Sequence, residues 1–209
     1  MSLRLSIIER LADLNGDARA AARLANPPID DLVLNPGASG RQHPTPAAVL
    51  VPLVERAEGM TVLLTLRTDH LNDHAGQVSF PGGRVEPGDA DLLDTALRET
   101  EEEIGIERSF VEVIGTLDPY ETMTGFRITP VVAFVRPGFA LELDEFEVAE
   151  AFEIPLPLAL DSAKYARRAR VHLGERRQFY VLEHDRHFIW GATAGILFNL
   201  CRRLEGLLG

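Results

Sequence analysis

Cysteine is almost missing from this chain: Cys201 is the single one, so no intrachain disulfide can form. It lies among Leu197, Leu200 and Leu204 and reads as a packed thiol rather than a nucleophile. Long apolar runs are absent as well, with nothing near the roughly 18 residues that a membrane-spanning helix requires. The first residues lack the extended apolar stretch and cleavage site of a signal peptide. These absences lead to the expectation of a soluble, cytoplasmic protein with no membrane partner. Basic residues are outnumbered, 21 Lys and Arg against 32 Asp and Glu, for a net charge of -11. Such a balance argues against a generic nucleic-acid surface, because phosphate binding is driven by Lys and Arg neutralisation. Neither a P-loop nor a Ser-His-Asp arrangement is evident, and there is no internal repeat. At 209 residues, 45% of them hydrophobic, the chain fits one domain with a substantial core.

What the chain does have is an unusual acidic cluster. A glycine-rich turn, Phe80-Pro81-Gly82-Gly83, precedes Arg98-Glu99-Thr100-Glu101-Glu102-Glu103-Ile104-Gly105-Ile106. Glu99, Glu102 and Glu103 stand at i, i+3 and i+4, so they share one helical face. On a bare helix these like charges repel, which calls for a compensating cation. Oxygen-only ligands favour Mg2+ or Mn2+ over zinc. Charge runs are usually solvated helix faces. Here, however, the run follows a double glycine, ends at Gly105, and is backed by an apolar stripe of Leu92, Leu93, Ala96, Leu97 and Ile104. The cluster therefore reads as a site.

In these residues the chain resembles the Nudix hydrolases, whose box is written G-x5-E-x7-R-E-U-x-E-E-x-G-U, with U apolar. Gly83, Arg98, Glu99, Glu102, Glu103, Gly105 and Ile106 match it. Asp89 stands where the first Glu is expected, eight residues rather than seven before Arg98, and Thr100 occupies an apolar position. The first two departures resemble the coenzyme A pyrophosphatase subgroup. That subgroup's upstream signature is similar to Leu63, Leu64, Thr65, Arg67, Gly76, Phe80, Pro81, Gly82 and Gly83 here, with Thr68 and Asn72 departing from it. Segments Thr124 to Val132, Glu147 to Leu156 and Phe188 to Ala194 also look like later parts of the subgroup.

The resemblance implies an α+β Nudix fold, a mixed β-sheet sandwiched between helices (α/β/α), and metal-dependent hydrolysis of a small-molecule nucleotide. Coenzyme A or a derivative would give 3',5'-ADP and 4'-phosphopantetheine. ADP-ribose or NADH as substrate, or a binding module without turnover, are the rivals. Glu99, Glu102 and Glu103 are the implied metal ligands, and Glu102 and Glu103 are also in the catalytic set. A late Glu near the metals is common in the family, which makes Glu147 a ligand or general base, unless it belongs to a polar loop. Arg98 supports the box by pairing with a carboxylate. Gly82 and Gly83 permit close approach to backbone, and Arg67 offers its planar fork to phosphate. His74 and Phe80 fall in the upstream signature, and His74 can contact phosphate. Trp190 with Phe188 forms either a platform for adenine or pantetheine or part of the core.

Organisation follows from spacing. Ser6 to Leu14 and Asp17 to Ala25 read as helices, and Asn35 to Pro46 reads as an exposed linker. Residues 1-40 then form a helical extension and 41-209 the hydrolase domain. The extension is either a homodimer arm or a segment packed on the domain. Strands are expected at Ala47 to Val54, Thr61 to Arg67, Val111 to Leu117, Thr129 to Val135, Phe146 to Phe152, Val171 to Leu173 and Arg177 to Leu182. Helices are expected from Asp91 to Ile104 and from Ala192 to Leu208.

Overall fold

A hairpin of two apolar strands starts the sheet. In the computed structural model, which describes residues 2–12, 28–38, 40–71, 73–172 and 174–207, β1 (Thr45–Arg56) pairs antiparallel with β2 (Gly59–Arg67). Gly59 has φ +129, a conformation that favours glycine, at the end of a turn closed by the Arg56–Gly59 pair. Most of β1 is buried on both faces, as expected of a central strand with few polar positions.

Two short strands, β3 (Val78–Ser79) and β4 (Gly82–Arg84), bring the glycine turn to the sheet by pairing with β2 and β1 respectively. Next come β5 (Val111–Thr116), β6 (Tyr120–Glu121) and β7 (Phe126–Val135), and β7 runs parallel to β1. β8 (Val148–Pro155) pairs antiparallel with β2, completing a mixed eight-stranded sheet. A separate three-stranded sheet contains β9 (Ala166–His172), β10 (Glu175–His184) and β11 (His187–Trp190).

Helices cover both faces of the large sheet. α1 (Leu3–Ala12) is followed by the single turn α2 (Asp31–Leu34), the box helix α3 (Leu92–Ile104), the short α4 (Leu156–Ala159) and α5 (Gly191–Arg203). Ala96 of α3 packs with Ala48, Leu50, Val131 and Ala133. The other face packs Val51, Leu53 and Phe134 with Leu197 and Leu200 of α5 and with Ile7 and Leu11 of α1. The Nudix α/β/α sandwich is therefore the fold observed. Ile7 is fully buried and Leu11 nearly so, while Arg4 pairs with Glu55 at 3.0 Å and lies over the Phe134 ring. The expected second helix, Asp17 to Ala25, lies outside the described residues, as does Asn72.

Several details differ from the sequence reading: the strand expected at Phe146 to Phe152 runs Val148–Pro155, and Leu93 of the expected inward stripe is exposed. Asn35, expected in an exposed linker, is buried, and its side chain bonds the Gln178 backbone at both N–H (2.7 Å) and C=O (3.1 Å). β9 begins at Ala166 rather than Val171, because its first residues, Ala-Arg-Arg-Ala-Arg, show no apolar period of two. α5 stops at Arg203, with Leu204 at its end and Leu207 in the turn beyond. Among the described residues no helix is long and apolar enough to cross a membrane.

Candidate active site

The box helix is fixed at both ends by its own sequence. Asp91 caps the N-terminus by accepting from the Asp94 N–H at 2.8 Å. Gly105 closes it in the left-handed region at φ +72, where an added Cβ would also lie 2.9 Å from the backbone N of Glu142. Asp89 anchors the preceding loop, accepting from Glu86 N–H (2.8 Å), Thr95 Oγ1 (2.7 Å) and the Arg98 fork (2.8 and 3.1 Å). Its bonds to Arg98, and then to the Glu86 N–H, hold this carboxyl well below the usual range. The residue seen in the sequence only as a departure is thus a hub that orients Arg98. The remaining Arg98 nitrogen, Nη1, donates to Glu99 (3.0 Å) and Glu102 (2.9 Å).

The double glycine lets this helix press against β4. A Cβ on Gly83 would lie 2.4 Å from the Glu99 carboxylate, and one on Gly82 would lie 2.5 Å from the Ala48 carbonyl. Glu103 is buried and accepts from the Gly82 N–H at 3.1 Å. Burial pushes its pKa up to about 8, with Glu99 and Glu147 adding repulsion against the pull of the Gly82 N–H and Arg67. Glu99 is raised too, by burial first, with the nearby Arg98 opposing. Arg67 reaches Glu103 and Glu147 through different nitrogens, at 3.5 Å each.

These groups face a cleft of about 780 Å³. Arg67, Glu99, Glu103 and Glu147 line it together with Gly82 and Gly83. His74, Phe80 and Trp190 are also on its walls. His74 is held at φ 58 with Nδ1 3.1 Å from Gln77 Oε1, and Phe80 is almost wholly buried. Arg98 and Glu102 do not line the cleft. Glu102 lies on the outer flank of α3, its side chain 60% exposed and tied to Arg98, whereas Glu103 turns inward. Phe188 is exposed under Arg168, and His70 packs on Phe146, so neither joins the cleft. Arg170, Arg177 and Phe179 do line it, although the sequence reading passed over them. Their signal was the concentration of arginine in β9 and at the start of β10.

Among the described residues, no three His, Cys, Asp or Glu side chains form a closed metal cage. The donor chemistry nonetheless fits a hard cation. Glu99, Glu103 and Glu147 face one cleft, the first two with raised pKa, and Arg67 is the cation paired with Glu103 and Glu147.

The pattern of the NUDIX domain family matches residues 44–172. The chain belongs to the Nudix family. The uncharacterized Nudix hydrolase NudL of Yersinia enterocolitica is 45% identical over 159 residues, covering 76% of this chain and 81% of the relative. The NudL protein of Escherichia coli O1:K1 is 42% identical over 158 residues, covering 76% and 82% respectively. A solved structure, DR0079 from Deinococcus radiodurans, is 12% identical and superimposes with a TM-score of 0.50, covering 80% of this chain and 89% of that one. That last likeness is one of fold. The matched region contains the whole Nudix box from Gly83 to Ile106, and the chain is a Nudix hydrolase.

Proposed function

We propose that this Nudix hydrolase cleaves the pyrophosphate of coenzyme A or a derivative, releasing 3',5'-ADP and 4'-phosphopantetheine. One observation carries the reading: Glu99, Glu103 and Glu147 converge with Arg67 on one cleft beside Gly82 and Gly83. The upstream signature supports the choice of substrate, since Arg67, Phe80 and the two glycines all stand at that cleft. Its volume, about 780 Å³, suits a ligand of nucleotide size.

Glu99 and Glu103 would hold a Mg2+ or Mn2+ ion, with Glu102 reaching it only by leaving Arg98. Such an ion, when bound, neutralises pyrophosphate oxygens and lowers the pKa of a water. The chain supplies the rest. Arg67 exchanges its two long carboxylate contacts for phosphoryl oxygens, for which its fork is suited. Glu147, less buried than Glu99 and Glu103, accepts the proton of the attacking water. The new P–O bond forms as the bond to the bridging oxygen breaks, and the leaving phosphate carries away the charge. Arg98 and Asp89 take no part in proton transfer; they hold Glu99 and the helix in register.

A competition assay tests the substrate. Coenzyme A, ADP-ribose and NADH are incubated together with the protein and Mg2+ or Mn2+, and their kcat/KM ratios are read. Preference for coenzyme A is expected. A clear preference for NADH or ADP-ribose would reject this substrate while keeping the chemistry, and binding without turnover of any would favour a non-catalytic module.

A further inference from the structure

The three-stranded sheet presents an unusual face to the cleft. Antiparallel pairing sets Arg170 directly opposite Arg177, and Arg168 opposite Phe179. Trp190 pairs with Val181, two residues beyond Phe179, so the alternation of side chains places Arg170, Arg177, Phe179 and Trp190 on one face. Contacts agree with this. The Arg170 guanidinium lies over the Trp190 ring, 4.7 Å from its centroid, and Phe179 meets Trp190 edge-on at 5.4 Å. All four residues line the cleft.

Two like charges directly opposite one another on a strand pair are destabilising unless something answers them. Arg170 is exposed and makes no ion pair among the described residues. Arg177 forms an ion pair with Glu175 (2.6 Å) and donates to the Met123 sulfur (2.9 Å), yet its Nε is buried with no hydrogen-bond partner. Asp31, a half-buried carboxylate close enough to feel the Arg177 charge, already accepts from the Tyr120 hydroxyl (2.7 Å) and the Met123 N–H (2.9 Å). The face therefore offers guanidinium donors beside a flat aromatic surface. That combination recognises an anion attached to a ring system.

We propose that Arg170 and Arg177, with Trp190, form a second anion subsite for a phosphate monoester on the nucleoside end of the substrate. It is separate from the pyrophosphate site at Glu99 and Glu103. The choice of a nucleotide ligand rests on the function proposed above. Within that reading the subsite distinguishes a nucleotide with a ribose phosphate from one without.

Isothermal titration in the presence of chelator tests this without requiring turnover, using 3',5'-ADP, 2',5'-ADP and 5'-AMP. The expected result is binding of 3',5'-ADP about tenfold tighter than 5'-AMP, as one charge-assisted contact would give. Arg170→Gln and Arg177→Gln should each collapse that preference, and Arg170→Lys should keep part of it. Because Arg170 is exposed, its variants test the idea without threatening the fold. Equal binding of 3',5'-ADP and 5'-AMP by the native protein, or a preference surviving both Gln variants, would overturn the subsite. Stronger binding of 2',5'-ADP would keep the subsite and contradict coenzyme A as its source. Cleavage of coenzyme A without any such preference would leave the hydrolase and remove the subsite. The preference without cleavage of coenzyme A would do the reverse.

Discussion

The two walls of the cleft are built in different ways. On the box wall each functional group is fixed by several internal contacts: Asp89 holds Arg98, Arg98 holds Glu99, and Gly83 leaves no space beyond the Glu99 carboxylate. On the sheet wall, strand alternation with a few ring and ion contacts sets the positions, and Arg170 remains exposed. The first suits chemistry, where small displacements of a reacting group are costly. The second suits recognition, where long side chains adjust to a ligand. Substitutions on the box wall should therefore change turnover, and those on the sheet wall should change which ligand is preferred.

The largest effect is expected at Glu103. Glu103→Gln should lower kcat by two orders of magnitude or more, on the scale of losing a group that acts on the transition state. Its stability should move the other way. In the native protein the Glu103 pKa is raised from 4.5 to about 8, so the chelated protein loses stability as pH rises through that window. Glu103→Gln lacks this loss, and its melting temperature in chelator should equal or exceed that of the native protein above pH 8. A variant both active and less stable there would break the distinction between the walls.

Gly83→Ala comes next. Its Cβ would lie within 2.4 Å of the Glu99 carboxylate, so Glu99 must move and kcat should fall by about tenfold or more. Steady-state kinetics with circular dichroism would separate this from unfolding. Asp89→Asn should lower the melting temperature and reduce kcat less than Glu103→Gln does, since Asp89 acts through Arg98. The Asp89 pKa is depressed in the fold, so its contribution is complete above the unfolded value near ~3.9 and is lost as pH falls below it. Thermal melts of both proteins should converge at the acidic end. Smallest among these is Glu102→Gln. With its side chain on the outer flank, the loss should be mainly in apparent metal affinity and recoverable at higher Mg2+.

Much of the box wall was legible in the sequence. Gly105 marked the end of the helix, and Ala96 and Ile104 of the apolar stripe face inward as expected, although Leu93 of that stripe is exposed. Which acidic residue turns inward was not legible, because Glu102 and Glu103 are neighbours on one helical face and only contact with β4 separates them. Asp89 was visible as a mismatch in spacing, but its bond to Arg98 depends on how the loop folds back. The sheet wall was hidden for another reason. A strand that opens Ala-Arg-Arg-Ala-Arg carries no hydrophobic period of two, and pairing with β10 is what reveals its face.

Cleavage of coenzyme A in 18O-labelled water, followed by mass spectrometry of the products, tests the central claim most directly. The account predicts 3',5'-ADP and 4'-phosphopantetheine, with one labelled oxygen in one of the two, formed with Mg2+ or Mn2+, abolished by chelator and slowed about a hundredfold or more by Glu103→Gln. Intact coenzyme A alongside labelled products from ADP-ribose or NADH, or cleavage by Glu103→Gln at the native rate, would contradict it.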